Sequence, residues 1–315
     1  MILITGGMGF IGLHTARRFL DAGERVVITQ YTTRREPDFI RDEIGKRVTV
    51  ARVDVTSAHD MIDVVRRNKV TGIVHLAVPG LAALSAAEDY RVNMMGLINV
   101  LEAARVNDVP RVTFASSATV YGGLADGPFR EDALLPVQST NATETYKKAW
   151  EILALHYGAR TGLEAVSARV GGIFGPLYHT LANAPSRICL AAARGKPADF
   201  SGSRTGAPYA DDVGNFCYVK DCALGLFLIQ TAKELPHRVY NISSGRRETF
   251  GDFVAAARQA APDLEVELRP GPGPHTRPSG YLEITRAANE VGYAPQFTLE
   301  QSTADYIEWL RRNPL

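Results

Sequence analysis

The stretch Ile2-Leu-Ile-Thr-Gly-Gly-Met-Gly-Phe-Ile-Gly-Leu13 decides the fold. Met1–Thr5 is a short apolar run that reads as a buried strand, and Ile11–Ala22 has the spacing of an amphipathic helix. Gly6, Gly9 and Gly12 stand between them. One glycine permits a tight turn, the next lets backbone approach a pyrophosphate, and the last lets helix and strand pack closely. The diphosphate then sits on the helix N-terminus, at Phe10 and Ile11, where free N–H groups and the helix dipole favour anions. Three glycines alone also suit a plain tight turn. A strand before them, a helix after them and a second strand at Arg25–Thr29 favour the phosphate-binding corner of a Rossmann fold.

Working outward, further apolar runs follow at Val48–Val53, Gly72–Leu76, Arg111–Ala115 and Glu164–Arg169. Helical stretches at Ala58–Asn68, Tyr90–Asn107 and Lys147–Thr161 separate them. Strands alternating with helix-length segments predict βαβ units and a parallel sheet, whose strands are buried on both faces and so read as continuous apolar runs. After about Gly175 the texture changes. Pro176, Pro185, Pro197 and Pro208 punctuate short segments, 269–274 reads Arg-Pro-Gly-Pro-Gly-Pro, and Leu299–Arg312 reads as a closing amphipathic helix. The expected fold class is α/β: a doubly wound Rossmann sheet with a smaller C-terminal α+β part for substrate. The expected division is 1–174 for the dinucleotide, with a returning segment near 213–242, and 175–315 for the substrate.

Lys+Arg 35 against Asp+Glu 34 gives a formal charge of +1, which leaves no electrostatic footprint for nucleic acid. Cys189, Cys217 and Cys222 show neither a CxxC pair nor metal-ligand spacing. No metal is expected. No apolar run is long enough to span a bilayer, and no signal peptide is read before Met1-Ile-Leu-Ile-Thr, so the expected location is the cytoplasm.

The dinucleotide expected is NAD or NADP. For NAD, the second strand should end in an acid that meets the ribose 2′-OH. Here Gln30 holds that place, and Arg34 and Arg35 lie just beyond, where a 2′-phosphate can be met. NADP is slightly favoured; the alternative for both arginines is ordinary solvated charge. Asp54, after the third strand, is placed to accept from the adenine amino group or, equally, to belong to a helix N-terminal cap region. Val55, Leu76 and Ala77 are further expected cofactor neighbours.

At this point the chain resembles the extended short-chain dehydrogenase/reductases, the NAD-dependent epimerase/dehydratase family, over nearly its whole length. Gly6–Gly12 matches the family's glycine loop, and His75-Leu-Ala the segment beside the cofactor. Asn93 matches the following helix, Phe114-Ala-Ser-Ser-Ala-Thr-Val-Tyr-Gly the catalytic-serine strand, and Arg169-Val-Gly-Gly-Ile-Phe-Gly-Pro the segment leading to substrate. Tyr218-Val-Lys-Asp-Cys-Ala, Val239-Tyr-Asn-Ile-Ser-Ser-Gly and Tyr281-Leu-Glu-Ile-Thr-Arg continue the match. The resemblance implies hydride transfer at an alcohol or ketone carbon. A tyrosine would handle the proton, a serine (here Ser117) would hold the oxygen, and a lysine four residues after the tyrosine would depress its pKa and bind the ribose.

The tyrosine–lysine pair is where the chain departs. Tyr146 is followed four residues later by Trp150, not by lysine. In one register Tyr146 is the acid/base and its lysine is lost. In the other, Lys147 is the lysine and Thr143 stands where the tyrosine belongs. Spacing to Glu151, to Gly162-Leu and from Glu131-Asp favours the second. Lys147 is therefore expected at the cofactor, with Thr143 an alcohol and a poor general acid/base. Tyr146 would point about 100° away on the helix, toward a surface or an interface.

Three functions follow: a working oxidoreductase or epimerase with an altered proton route, a weakly active or regulatory cofactor-binding protein, or a purely structural Rossmann protein. The expected substrate is a carbohydrate or nucleotide-sugar, or else a smaller hydroxy or keto compound. Arg187, Arg204, Arg277 and Lys196 are candidates for a substrate diphosphate, or ordinary surface charge. The resemblance also implies a homodimer through the helices Tyr90–Asn107 and Lys147–Thr161. Leu97, Leu101, Ala103, Ala104, Trp150, Leu153 and Leu155 suit such a bundle or the chain's own core.

Overall fold

The computed structural model describes residues 1–31, 38–80, 84–178, 180–203, 206–274 and 280–313. The strands are β1 (Ile2–Thr5), β2 (Val26–Gln30), β3 (Val48–Arg52), β4 (Gly72–His75), β5 (Arg111–Ser117), β6 (Glu164–Val170), β7 (Gly172–Phe174), β8 (Val213–Gly214), β9 (Phe216–Tyr218), β10 (Val239–Ile242) and β11 (Glu248–Thr249). The helices are α1 (Phe10–Asp21), α2 (Ala58–Arg67), α3 (Ala86–Val106), α4 (Ala142–Thr161), α5 (Ala184–Arg194), α6 (Val219–Thr231), α7 (Phe250–Ala260), α8 (Thr285–Val291) and α9 (Leu299–Arg312).

Seven strands form one parallel sheet in the order β10-β6-β5-β4-β1-β2-β3. β1, β4 and β5 are buried along almost their whole length, as their unbroken apolar runs require. From β1 the chain steps outward to β2 and β3, then crosses back to β4 on β1's other side. The reversal opens a crevice between β1 and β4, at the carboxyl ends of the strands.

One face of the sheet packs Leu3, Ile73, Val112 and Phe114 against Met61, Leu97, Leu101 and Trp150 from α2, α3 and α4. The other packs Ile4, Val26, Val74 and Val166 against Leu13, Phe19, Leu226 and Ile229 from α1 and α6. A further apolar cluster joins α5, α7 and α9 to β9 through Ile188, Phe253, Tyr306 and Phe216. β10 returns from the second half of the chain to close the sheet beside β6. None of the described helices is long and apolar enough to cross a membrane.

Candidate active site

The glycine loop sits at the head of the crevice. Gly6 adopts φ +65°, and a Cβ there would lie 2.9 Å from the backbone of Ala77. A Cβ on Gly12 would collide with the Gly6 carbonyl and the Gly7 backbone, so helix and loop close only with glycine there. Two threonines anchor the loop. Thr29 Oγ1 accepts from the Gly6 N–H at 2.9 Å, and Thr5 Oγ1 accepts from Leu76 and Ala77 N–H at 3.2 and 3.3 Å.

Helix α1 starts at Gly9 with no side-chain cap and no acid in its first turn. Ser57, Ser85, Asn141 and Asn183 cap α2, α3, α4 and α5, whereas α6 and α8 also start without a side-chain cap but follow no glycine loop. The first N–H groups of α1, on Phe10, Ile11 and Gly12, therefore lack the side-chain oxygen that the caps of α2 to α5 supply. The glycine cradle and this uncapped terminus fit a dinucleotide diphosphate.

The acid expected at the end of β2 is indeed replaced by Gln30, which is half-buried there. Arg34 and Arg35 lie outside the described residues, as do Arg204 and Arg277. Asp54 Oδ1 accepts from the Thr56 N–H and hydroxyl, both at 2.8 Å, and so organises the turn before α2, while Ser57 is that helix's cap. Val55 packs where Gly96 leaves room, and its carbonyl accepts from Asn99 at 3.0 Å.

His75 ends β4, Ser117 ends β5, and Lys147 comes from α4. His75 Nδ1 bonds Thr5 Oγ1 at 2.7 Å, and its ring stacks on Trp150 at 4.8 Å. Burial, then the nearby Lys147, hold its pKa down at about 3, so it is neutral. Its Nε2 and the Oδ1 of Asn93 are buried without a hydrogen-bond partner among the described residues. Ser117 ends β5, half-buried, and its Oγ accepts from the Thr119 N–H at 3.2 Å. Lys147 Nζ donates to the Ala115 carbonyl and lies 3.7 Å from the centre of the Trp150 indole. Burial pulls its pKa from 10.5 to about 7, with Glu151 pulling weakly the other way.

Thr143 is half-buried on α4, one turn before Lys147 on the same face. Tyr146 turns inward, into the cluster between α3 and α4, rather than to a surface. Its ring is 5.9 Å from Trp150, and burial raises its pKa, with Thr143 pulling the other way. Arg187 Nη1 donates to the Asp199 carbonyl at 2.9 Å, and its Nε is buried without a partner among the described residues. Lys196 is exposed.

Sequence reasoning missed three supports of this site. Trp150 is the floor under both His75 and Lys147. Glu144 and Lys148 form a buried ion pair at 2.8 Å, and Lys148 also donates to the carbonyls of Pro136 and Gln138. This ties the segment before α4 to the helix. Tyr121 donates to Asn241 and accepts from Arg169, which is itself forked onto Glu151. The Asn-x-x-Glu spacing at 141–144 was the readable signal for the second of these. A groove of about 460 Å³ between α1, α6 and α9 lies apart from all of this; its Arg17, Lys220 and Arg312 are paired to Asp21, Asp305 and Glu308. The uncapped helix and the titratable cluster, not that groove, mark the site.

A model of the NAD dependent epimerase/dehydratase family matches residues 2–243. The chain belongs to this family. It is 27% identical to an uncharacterized 37.6 kDa protein of Escherichia coli O111:H-, with 98% of each chain covered. It is 25% identical to the UDP-glucose 4-epimerase of Dictyostelium discoideum, covering 99% of this chain and 96% of the other. Among solved structures, the UDP-glucose 4-epimerase of Thermus thermophilus in complex with NAD superposes with a TM-score of 0.79 at 25% identity, covering 100% of this chain and 99% of that one. As an epimerase/dehydratase family enzyme the chain carries the glycine loop at the turn from β1 to α1, within the matched residues.

Proposed function

We propose that this protein transfers hydride at an alcohol or ketone carbon of a nucleotide-sugar, using a bound nicotinamide dinucleotide, as an epimerase does. The observation that carries the reading is the uncapped, glycine-cradled N-terminus of α1, in a chain that also brings Lys147 of α4 onto the end of β5, where Ser117 stands. Gly6, Gly9, Phe10, Ile11 and Gly12 hold the diphosphate. Gln30 and Asp54 face the adenosine half, with Val55, Leu76 and Ala77 along its path. Asn93 and Lys147 hold the nicotinamide ribose, and their neighbourhood supports this through the unpaired Nε2 of His75 and Oδ1 of Asn93. When bound, the dinucleotide supplies the hydride acceptor and donor. Ser117 Oγ positions the substrate oxygen.

Residues 1–174 with the return near 213–242 form the dinucleotide part in this reading, and 175–315 the substrate part. Arg187, Arg204 and Arg277 are assigned to the sugar nucleotide's diphosphate; the free Nε of Arg187 supports its share. Gln30 favours NADP slightly, whereas the Thermus relative holds NAD. Two dissociation constants decide, and a strong preference for NAD removes the Gln30 argument. The assembly in this reading is a homodimer through the outer faces of α3 and α4, where Met95, Ile98 and Ile152 are exposed.

A second reading, a dinucleotide-binding protein with little turnover, is favoured by Thr143 and by the inward Tyr146. The test is to load the protein with NAD or NADP, add UDP-glucose or another nucleotide-sugar, and follow epimer formation by NMR. Product formation supports the first reading; tight dinucleotide binding with no product from any sugar nucleotide supports the second.

A further inference from the structure

The altered site leaves the proton without its usual carrier, and the described residues leave few groups to replace it. Tyr146 is buried in the cluster between α3 and α4, its ring against Trp150. Both oxygens of Glu144 are engaged, Oε1 by Lys148 at 2.8 Å and Oε2 by the N–H and hydroxyl of Thr140 at 3.0 and 2.9 Å. The Tyr121 hydroxyl is fixed between Arg169 and Asn241, both at 2.8 Å. His75 is neutral and locked by Thr5 and Trp150.

Lys147 differs from all of these. Its acceptor is one backbone carbonyl, Ala115 O, and its other neighbour is an indole face. Among the described residues no carboxylate bonds it to hold it in the charged form. Glu151, the acid whose field reaches it, is bound by Arg169 at 2.7 Å and by Ser167 at 2.8 Å. Ala115, whose carbonyl takes the Lys147 N–H, stands two residues before Ser117 on β5, so the amine lies against the strand end that carries the serine. Thr143, one turn before Lys147, brings no phenol ring.

We infer that Lys147 is itself the general acid/base of this protein, exchanging a proton with the substrate oxygen that Ser117 positions. The inference rests on the function proposed above. In the oxidising half, the substrate O–H proton passes to the lone pair of the Lys147 amine, which becomes ammonium. The carbon's C–H pair leaves as hydride to the bound nicotinamide dinucleotide, and the alcohol becomes a ketone. In the reducing half the hydride returns to the carbon, and the ammonium returns its proton to the oxygen. Burial supports the assignment, because a pKa of about 7 populates both forms of the amine near neutrality. The titratable and charged groups facing Lys147 are His75 from β4, Glu151 and Tyr146 from α4, and, through Glu151, Arg169 from β6.

The test uses the dinucleotide-loaded protein with ¹³C-labelled lysine, and Lys147→Arg to assign the signal. The Lys147 signal is expected to titrate near pH 7. Lys147→Arg keeps a cation but cannot release its proton, and it is assayed at dinucleotide concentrations that saturate it. Its reduction of bound dinucleotide, read at 340 nm in one turnover, should fall about 10²–10⁴-fold. Lys147→Ala should be rescued by added primary alkylamines in proportion to their free-base concentration, a dependence that a positioning role would not produce. A midpoint near 10, or Lys147→Arg transferring within tenfold of wild type, overturns the inference while the function stands. A wild-type protein whose dinucleotide no nucleotide-sugar reduces overturns the function, and the inference with it.

Discussion

At the scale of single residues, the proposed reading turns on Thr143, which it sets at the position of the family's phenol. In that reading a phenol there should change the chemistry more than the fold, because position 143 is half-buried in the first turn of α4. Thr143→Tyr is expected to speed single-turnover hydride transfer by about tenfold or more. It should also move the alkaline side of the pH–rate profile, measured at 340 nm with sugar nucleotide. Lys147 has a stability signature as well. Its pKa is about 7 in the folded chain against 10.5 for a free lysine. Between those values the unfolded chain binds the extra proton, so stability rises with pH across that window. Lys147→Met removes the buried ammonium. It should therefore stabilise the protein by on the order of a few kcal/mol at pH 6, an advantage that shrinks toward pH 10 in urea denaturation.

At the scale of elements, the sheet was largely legible. Val26-Val-Ile, Ile73-Val and Val112–Phe114 announce strands because strands buried on both faces have no polar side to show. Helix starts are harder to see. α3 begins at Ala86 and α4 at Ala142, ahead of the apolar spacing, because Ser85 and Asn141 cap them with glutamates three residues on. The direction of Tyr146 was half legible. Its position a hundred degrees from Lys147 is visible in the sequence, but only packing shows that this direction meets α3 rather than solvent. The slot under Lys147 was not legible, since Trp150 draws no attention until His75 and Asn93 arrive from distant segments; Asn93 O accepts the indole N–H at 3.1 Å. The outer faces of α3 and α4 carry their own prediction. Leu97, Leu101, Ala103, Ala104 and Trp150 are taken up by the chain's own core, leaving Ile152, 74% exposed, with Met95 and Ile98. Ile152→Glu should convert the proposed dimer to monomer by light scattering while leaving the melting of the subunit nearly unchanged; a monomeric wild type at micromolar concentration rejects the dimer.

At the scale of the whole molecule, the two halves of the chain are joined by buried polar bonds as well as by β10. Arg169 on β6 forks onto Glu151 of α4 and bonds Tyr121, which reaches Asn241 on β10. Asn241 is tied on every side: its side chain donates to the Phe129 and Glu283 carbonyls, and its N–H to Glu131. Removing one partner strands a buried charge, so Glu151→Ala should cost about 3–5 kcal/mol in chemical denaturation. Glu151→Leu combined with Arg169→Met should cost less than Glu151→Ala alone.

The most direct test of the account returns to the uncapped end of α1. Gly9→Asp gives that helix the cap and the negative charge it lacks, although the new Cβ would lie 2.9 Å from the Gly6 carbonyl oxygen and the loop must shift slightly. The same charge repels a diphosphate. Titrating NAD and NADP into wild type and Gly9→Asp by calorimetry should show binding to wild type, weakened at least about 100-fold in a variant that still melts cooperatively. Equal binding by the two proteins, or no binding by wild type, would contradict the account.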